Sequence, residues 1–195
     1  MQPNDFEPCD KVVFSTATGV LITPKDYFFF NAGDSRTLLV RNEQVEFATM
    51  DHKPTNEEEK KRIESAGGRV MIQRINGSLA VSRALGDFEY KNRDDLDDLS
   101  QLVSPDPDVT CLPRKSDADN FIVVACDGIY DVMSNEEIAE FCHDRLESSE
   151  DEFAVPETLL NLCLHKVKKS NKDKNQGTIY TARIVFINQS QYDFE

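Results

Sequence analysis

Apolar positions along this chain fall first into short β-branched or aromatic runs, and only later at helical spacing. Residues 12–23 read as a strand stopped by Pro24-Lys25-Asp26. Residues 27–31, 36–40 and 44–48 give three more strands, so closely spaced that an antiparallel meander is expected. Asn56 with Glu59 three residues on has the capping-box pattern, which predicts a helix ended by Gly67-Gly68. Residues 69–73 return to a strand, and an acidic loop follows around Asp94-Asp95-Leu96-Asp97-Asp98. Residues 121–125 are apolar without interruption, the mark of a strand buried on both faces. Ser134 with Glu137 repeats the capping box and predicts a helix through Leu146. Leu159, Leu160, Cys163, Leu164 and Val167 recur at helical spacing; residues 166–174 read as a basic loop and 179–187 as a last strand. Strand and helix do not alternate regularly. The order predicts an α+β layered domain of antiparallel sheet with helices packed outside.

Charge narrows the partners. Among 195 residues there are 36 acidic and 22 basic side chains, a formal net charge of -14. Such a surface repels nucleic acid and anionic membrane and suits divalent cations or basic peptides, although solubility alone accounts for most excess acid. The five cysteines, Cys9, Cys111, Cys126, Cys142 and Cys163, show no CxxC spacing, so neither zinc nor a disulfide framework is expected. Cys111, Cys126 and Cys163 have largely apolar neighbours and read as buried thiols in a reducing compartment, and an intracellular location in cytoplasm or nucleus is expected. The first residues carry neither a basic run nor an apolar stretch, so no signal peptide is read there.

The clearest chemical pattern is Ala125-Cys126-Asp127-Gly128-Ile129-Tyr130-Asp131. A buried strand ends, glycine lets the backbone turn, and Asp131 follows Asp127 by about one helical turn. Two carboxylates so presented suit Mg²⁺ or Mn²⁺; a turn plus a helix-capping aspartate is the other reading. Asn31-Ala32-Gly33-Asp34-Ser35-Arg36 repeats the arrangement at another strand end, where a plain hairpin turn is the favoured reading of these residues alone. His52, in Asp51-His52-Lys53-Pro54, reads as a general acid or, more simply, as a structural hydrogen-bond partner. Ser82 lacks a Gly-x-Ser-x-Gly elbow, and no phosphate-binding or dinucleotide-binding glycine loop occurs.

These segments, with Asn76-Gly77-Ser78-Leu79-Ala80-Val81-Ser82-Arg83-Ala84-Leu85-Gly86-Asp87 and Leu102-Val103-Ser104-Pro105-Asp106-Pro107, come in an order that resembles the metal-dependent protein serine/threonine phosphatases of type 2C. The wording is nearest the animal alpha/beta-type branch. The resemblance implies an α-β-β-α sandwich of two antiparallel sheets flanked by helices. It implies two Mg²⁺ or Mn²⁺ ions, a metal-activated water attacking phosphoserine or phosphothreonine, and phosphoprotein substrates. Residue by residue it assigns Asp127 to the binuclear centre, and Asp34, Asp127 and Asp131 to a third, weaker metal. A substrate-selecting flap corresponds to about residues 49–70; His52, Lys53 and Arg62 are assigned to it, together with Arg74 just beyond that stretch.

The departures from the family pattern are specific. No Asp-Gly-His-Gly-Gly, the source of the metal-bridging aspartate, occurs in these residues, and no N-terminal phosphate-gripping arginine. Thr178 stands where a C-terminal metal-binding aspartate is expected, with Asp173 five residues earlier. The expectation is a loose segment at 1–10, a partial phosphatase domain at 11–190 lacking N-terminal strands and a helix, and a tail at 191–195. No catalytic side chain is assigned. The chain alone is expected to turn over weakly or not at all and to hold at most one cation weakly. The alternative is a non-catalytic interaction module that keeps the fold to bind a protein partner. Uncovered edges at 12–23 and 121–125 are expected to favour association.

Overall fold

The structure, a computed structural model, describes residues 14–115, 117–148, 151, 153–169 and 182–186. Its strands are β1 (Phe14–Ser15), β2 (Ala17–Ile22), β3 (Asp26–Ala32), β4 (Arg36–Arg41), β5 (Gln44–Ala48), β6 (Val70–Met71), β7 (Arg74–Ile75), β8 (Leu85–Gly86), β9 (Asp108–Pro113), β10 (Asp119–Ala125) and β11 (Ala182–Phe186). The helices are α1 (Glu57–Ser65), α2 (Asp127–Tyr130), α3 (Asn135–Glu147) and α4 (Val155–Lys169).

Two antiparallel sheets form an α+β sandwich, one ordered β11-β10-β4-β5 and the other β2-β3-β9. The side-chain alternation of β4 and β10 explains why each carries an unbroken apolar run, 38–40 and 121–125. Leu38, Val40, Phe121, Val123 and Ala125 join Ile138, Cys142, Leu159 and Cys163 of α3 and α4 in one cluster. Leu39 and Ile122 point the other way and meet Tyr27 and Phe29 of the second sheet. Successive residues of a strand face opposite sides, so a strand covered on both needs apolar residues throughout. The second sheet presents Leu21, Phe30 and Val109 outward, at 59%, 38% and 62% exposure. A separate small core of Ile63, Ile75, Val81, Ala84 and Val103 holds α1 and the β6–β7 hairpin beside the sandwich.

Several expectations change on contact with the structure. Residues 121–125 gain both neighbours, since β10 pairs with β4 and β11, so no edge is left uncovered there. The expected strand at 12–23 breaks at Thr16: β1 pairs with β8, whereas β2 pairs with β3. Thr16 turns its hydroxyl to Ser35 at 2.8 Å instead of continuing a ladder. The strand expected at 69–73 is a hairpin, with Ile72 and Gln73 at its tip at φ 51° and 61°. Asn-Gly is the usual signal for such a turn, and Ile-Gln gives none. The last helix runs through Lys169, so 166–169 are helical rather than loop. Ser134 and Glu137 form the reciprocal capping box. Asn56 does not: its amide donates to the Asp51 carbonyl at 2.8 Å, and Glu59 is drawn inward by arginines. Thr178, Asp173, residues 1–10 and the tail lie outside the described residues.

One residue of this scaffold is held at a cost. Asp87 is 2% exposed, adopts a left-handed backbone at φ 59°, and has no hydrogen-bond partner for either carboxylate oxygen among the described residues. Burial, and then the Glu89 carboxylate, push its acidity down and its pKa up. A buried unpaired carboxylate opposes folding when charged, and that penalty is relieved as pH falls through its raised pKa. Asp87→Asn is therefore expected to stabilise the protein by about 1 kcal/mol at pH 7, read as a higher urea midpoint. An unchanged or lower midpoint would contradict this account.

Candidate metal-binding and substrate-facing site

Strand β3 ends in a turn that only glycine can make. Gly33 sits at φ +119°, and a Cβ there would lie 2.3 Å from the Thr16 methyl. The turn is strapped from the far side by the loop after β5. His52 donates its amide to the Gly33 carbonyl at 2.9 Å, and its Nδ1 accepts the Gly33 N–H at 3.1 Å. Asn31 adds bonds from its amide to the carbonyls of Gly33 and Met50. The result fixes Asp34 at the mouth of the sheets, 8% exposed.

The second arm comes from β10. Its last residue is Ala125, and Asp127 opens α2, with the Asp131 N–H closing that turn on the Asp127 carbonyl at 2.8 Å. Both aspartates thus lie at one end of the sandwich. Burial weakens the acidity of Asp127 most, and the carboxylates of Asp34 and Asp131 weaken it further; the Gly128 N–H and the Lys53 ammonium act in the opposite sense. Three carboxylates near enough to repel one another favour a positive charge between them.

Arg36 ties the two arms together. Its guanidinium forms a two-pronged pair with Asp51 at 2.8 and 2.9 Å, donates to Asn135 Oδ1 at 2.7 Å, and lies 4.5 Å above the Tyr130 ring centre. The Tyr130 hydroxyl in turn donates to the Arg36 carbonyl at 3.0 Å. One side chain therefore orients the loop carrying Lys53, the α2 turn and the start of α3. It was missed as a functional residue because its partners lie up to 99 residues away, and only its neighbourhood to Asp34 in Gly33-Asp34-Ser35-Arg36 could have drawn attention to it.

The four flap residues separate into two pairs. Lys53 and Arg74 line an open pocket of about 220 Å³ with Thr55, Ile72, Gln73 and Ala80. Arg74 also donates to the Ser78 carbonyl at 2.7 Å and stays exposed. His52 and Arg62 turn inward. His52 is 3% exposed, and its Nε2 stands 3.1 Å from Asp108 Oδ2, off the line of a good hydrogen bond. Arg62 binds Glu59 at 2.9 Å and the carbonyls of Gln101 and Ser82 at 3.1 and 2.6 Å. Both hold the flap onto the sandwich.

Does this arrangement fit a metal? The donors are carboxylates, which suit a hard cation that keeps part of its water shell. No three His, Cys, Asp or Glu side chains among the described residues converge into a ready cage. Asp34 is instead met by Lys53, whose Nζ lies 2.6 Å from Oδ2. No described helix is long and apolar enough to cross a membrane.

The chain matches the family profile described as protein phosphatase 2C over residues 6–172. It is 56% identical to human protein phosphatase 1B and 54% identical to human protein phosphatase 1A over 157 residues, 80% of this chain in each case. That stretch is 33% of the first relative and 41% of the second, so the chain spans about a third to two-fifths of the proteins it matches. Among solved structures, a phosphatase from Toxoplasma gondii superposes with a TM-score of 0.74 at 26% identity, covering 86% of this chain and 50% of that one. A Caenorhabditis elegans sex determining protein superposes with a TM-score of 0.72 at 23% identity, covering 90% and 40%, a likeness of fold. With the profile spanning most of its length, the chain belongs to the protein phosphatase 2C family.

Proposed function

We propose that this protein serves the hydrolysis of phosphoserine and phosphothreonine on protein substrates in a reducing intracellular compartment, with Mg²⁺ or Mn²⁺ held by Asp34, Asp127 and Asp131. The family is metal-dependent. The observation that carries the reading is that the charges of Asp34 and Asp131 both reach Asp127 at one end of the sandwich, beside a pocket edged by Lys53 and Arg74. When bound, a divalent cation activates water and offsets charge on the phosphoryl oxygens. The chain's own residues do the rest. Asp34, Asp127 and Asp131 place negative charge where a cation is drawn in. Arg36 keeps the α2 turn and the Lys53 loop in register. Lys53 and Arg74 offer positive charge to a phosphorylated segment in an otherwise acidic protein. Of the thiols, Cys163 is buried as expected but Cys111 is exposed on the edge strand β9 and Cys126 is half-buried; Cys142, whose pKa burial pushes up to about 12, is inert and suits a reducing environment.

Turnover by these 195 residues alone is expected to be weak or absent, because no Asp-Gly-His-Gly-Gly occurs among them and two close divalent ions repel without a bridging carboxylate. The test pairs Mn²⁺-dependent hydrolysis of a phosphopeptide with calorimetry of Mn²⁺ binding. Weak Mn²⁺ binding that drops at least about tenfold in Asp131→Asn is expected, since one of three carboxylate donors is lost. Strong Mn²⁺-dependent turnover abolished by Asp127→Ala would show that the chain suffices as an enzyme. Mn²⁺ binding indifferent to Asp131→Asn would remove these residues from the site.

A further inference from the structure

The side chain nearest Asp34 is a cation the protein supplies itself. Lys53 Nζ donates to Asp34 Oδ2 at 2.6 Å, while the other carboxylate in reach, Asp51, is 4.0 Å away. Asp51 is already saturated by the Arg36 fork at 2.8 and 2.9 Å, so it competes poorly for the ammonium. The field of Lys53 also reaches Asp127, where it opposes the repulsion from Asp34 and Asp131. One ammonium therefore offsets part of the charge of both Asp34 and Asp127, in the place a metal ion is expected.

The backbone that carries Lys53 is fixed, and its side chain is not. His52 is locked against Gly33 through both its amide and its ring, and Pro54 follows. The Lys53 side chain is 39% exposed and edges the open pocket, which leaves the flexible four-carbon stem room to move its charge away. A divalent ion approaching Asp34 meets a like charge already bonded to the oxygen it needs. The two cannot share that oxygen at contact distance, because the mutual repulsion of cations rises as their separation falls.

We propose that Lys53 is an internal counter-ion that competes with divalent cations for Asp34, so that metal binding requires the Lys53–Asp34 pair to open. This rests on the assignment of Asp34, Asp127 and Asp131 as the cation-binding carboxylates. Lys53 thereby lowers cation affinity and keeps the carboxylate cluster intact without metal.

Calorimetry of Mn²⁺ binding at low ionic strength, on the full chain and three variants, tests it. Lys53→Met is expected to bind Mn²⁺ about threefold to tenfold more tightly than the unmodified chain, the range set by a half-exposed ion pair within a carboxylate cluster. Lys53→Arg keeps the charge and is expected to stay within about twofold of the unmodified affinity. Asp131→Asn reports on the underlying site. If Asp131→Asn weakens Mn²⁺ binding while Lys53→Met leaves it equal or weaker, the carboxylate site stands and the competition is wrong. If no variant binds Mn²⁺, including Lys53→Met, both are wrong. Circular dichroism of each variant, expected to match the unmodified chain, confirms that the comparison is made between folded proteins.

Discussion

Asp119→Ala is expected to destabilise the protein by about 3–5 kcal/mol, the cost of leaving a buried charge without its partner. Asp119 stands at the start of β10 and is fully buried at its side chain, as is nearly all of Arg41. Its Oδ1 accepts from Arg41 Nε in a short contact. Its Oδ2 accepts from the Tyr27 hydroxyl at 2.9 Å and the Lys115 N–H at 2.7 Å. Arg41 also reaches across to the Pro113 carbonyl at 2.8 Å. Tyr27 and Pro113 belong to one sheet, Arg41 and Asp119 to the other, so this group staples the two layers at one side of the sandwich. Burial and the Asp119 carboxylate together push the Tyr27 hydroxyl up to about 12, which keeps it a donor at all ordinary pH values. Removing Asp119 strands a guanidinium and a phenol in the interior. Urea denaturation of wild type and variant gives the difference directly, and a loss under about 1 kcal/mol would mean that water or Glu46 takes over the guanidinium.

Residues whose role is local were legible in the sequence. The unbroken apolar run of β10 announced burial on both faces, because alternation disappears when neither face is wet. Gly33 and Gly128 marked the two strand ends where Asp34 and Asp127 stand, and Ser134 with Glu137 spelled out a cap that the helix uses. Pairings between distant segments were not legible. Asn56 and Glu59 spell the same cap, yet Glu59 is captured by Arg83, 24 residues away, and the local pattern loses to two guanidinium groups. Motif order placed His52, Lys53, Arg62 and Arg74 in one flap, but only folding decides which faces solvent: His52 and Arg62 turn inward, while Lys53 and Arg74 stay open to the pocket. The edge strand β9 was overlooked because it is mostly exposed, polar at its start and preceded by Pro105 and Pro107. Arg36 stood in plain view within a motif, but its three partners come from three elements that the sequence does not place together.

Glu59→Gln is expected to cost about 3 kcal/mol near neutral pH, and to remove a specific acid transition. Glu59 is 3% exposed and lies between Arg62 and Arg83. Burial by itself would raise its pKa; the hydrogen bonds from Arg83 and the charges of Arg62 and Arg83 outweigh that and hold it at about 2, against 4.5 for the ordinary side chain. A carboxyl held so far below its ordinary value stabilises the folded state by about 3 kcal/mol. Because the folded value is the lower one, this contribution is complete above about pH 5 and is lost as pH falls from there toward 2. Gln keeps the shape and an acceptor oxygen but cannot neutralise the guanidinium groups, each of which is 15% exposed or less. The Arg62 bonds to Ser82 and Gln101 and the Arg83 pair with Asp108 soften the loss without replacing the charge. The flap core around Ile63 and Val81 rests on this triad, so loosening should begin there. Urea midpoints measured from pH 7 to pH 3 decide it. Wild type should lose stability steeply below pH 5 while Glu59→Gln, weaker at pH 7, converges toward it; parallel curves for the two proteins would rule out Glu59 as the group responsible.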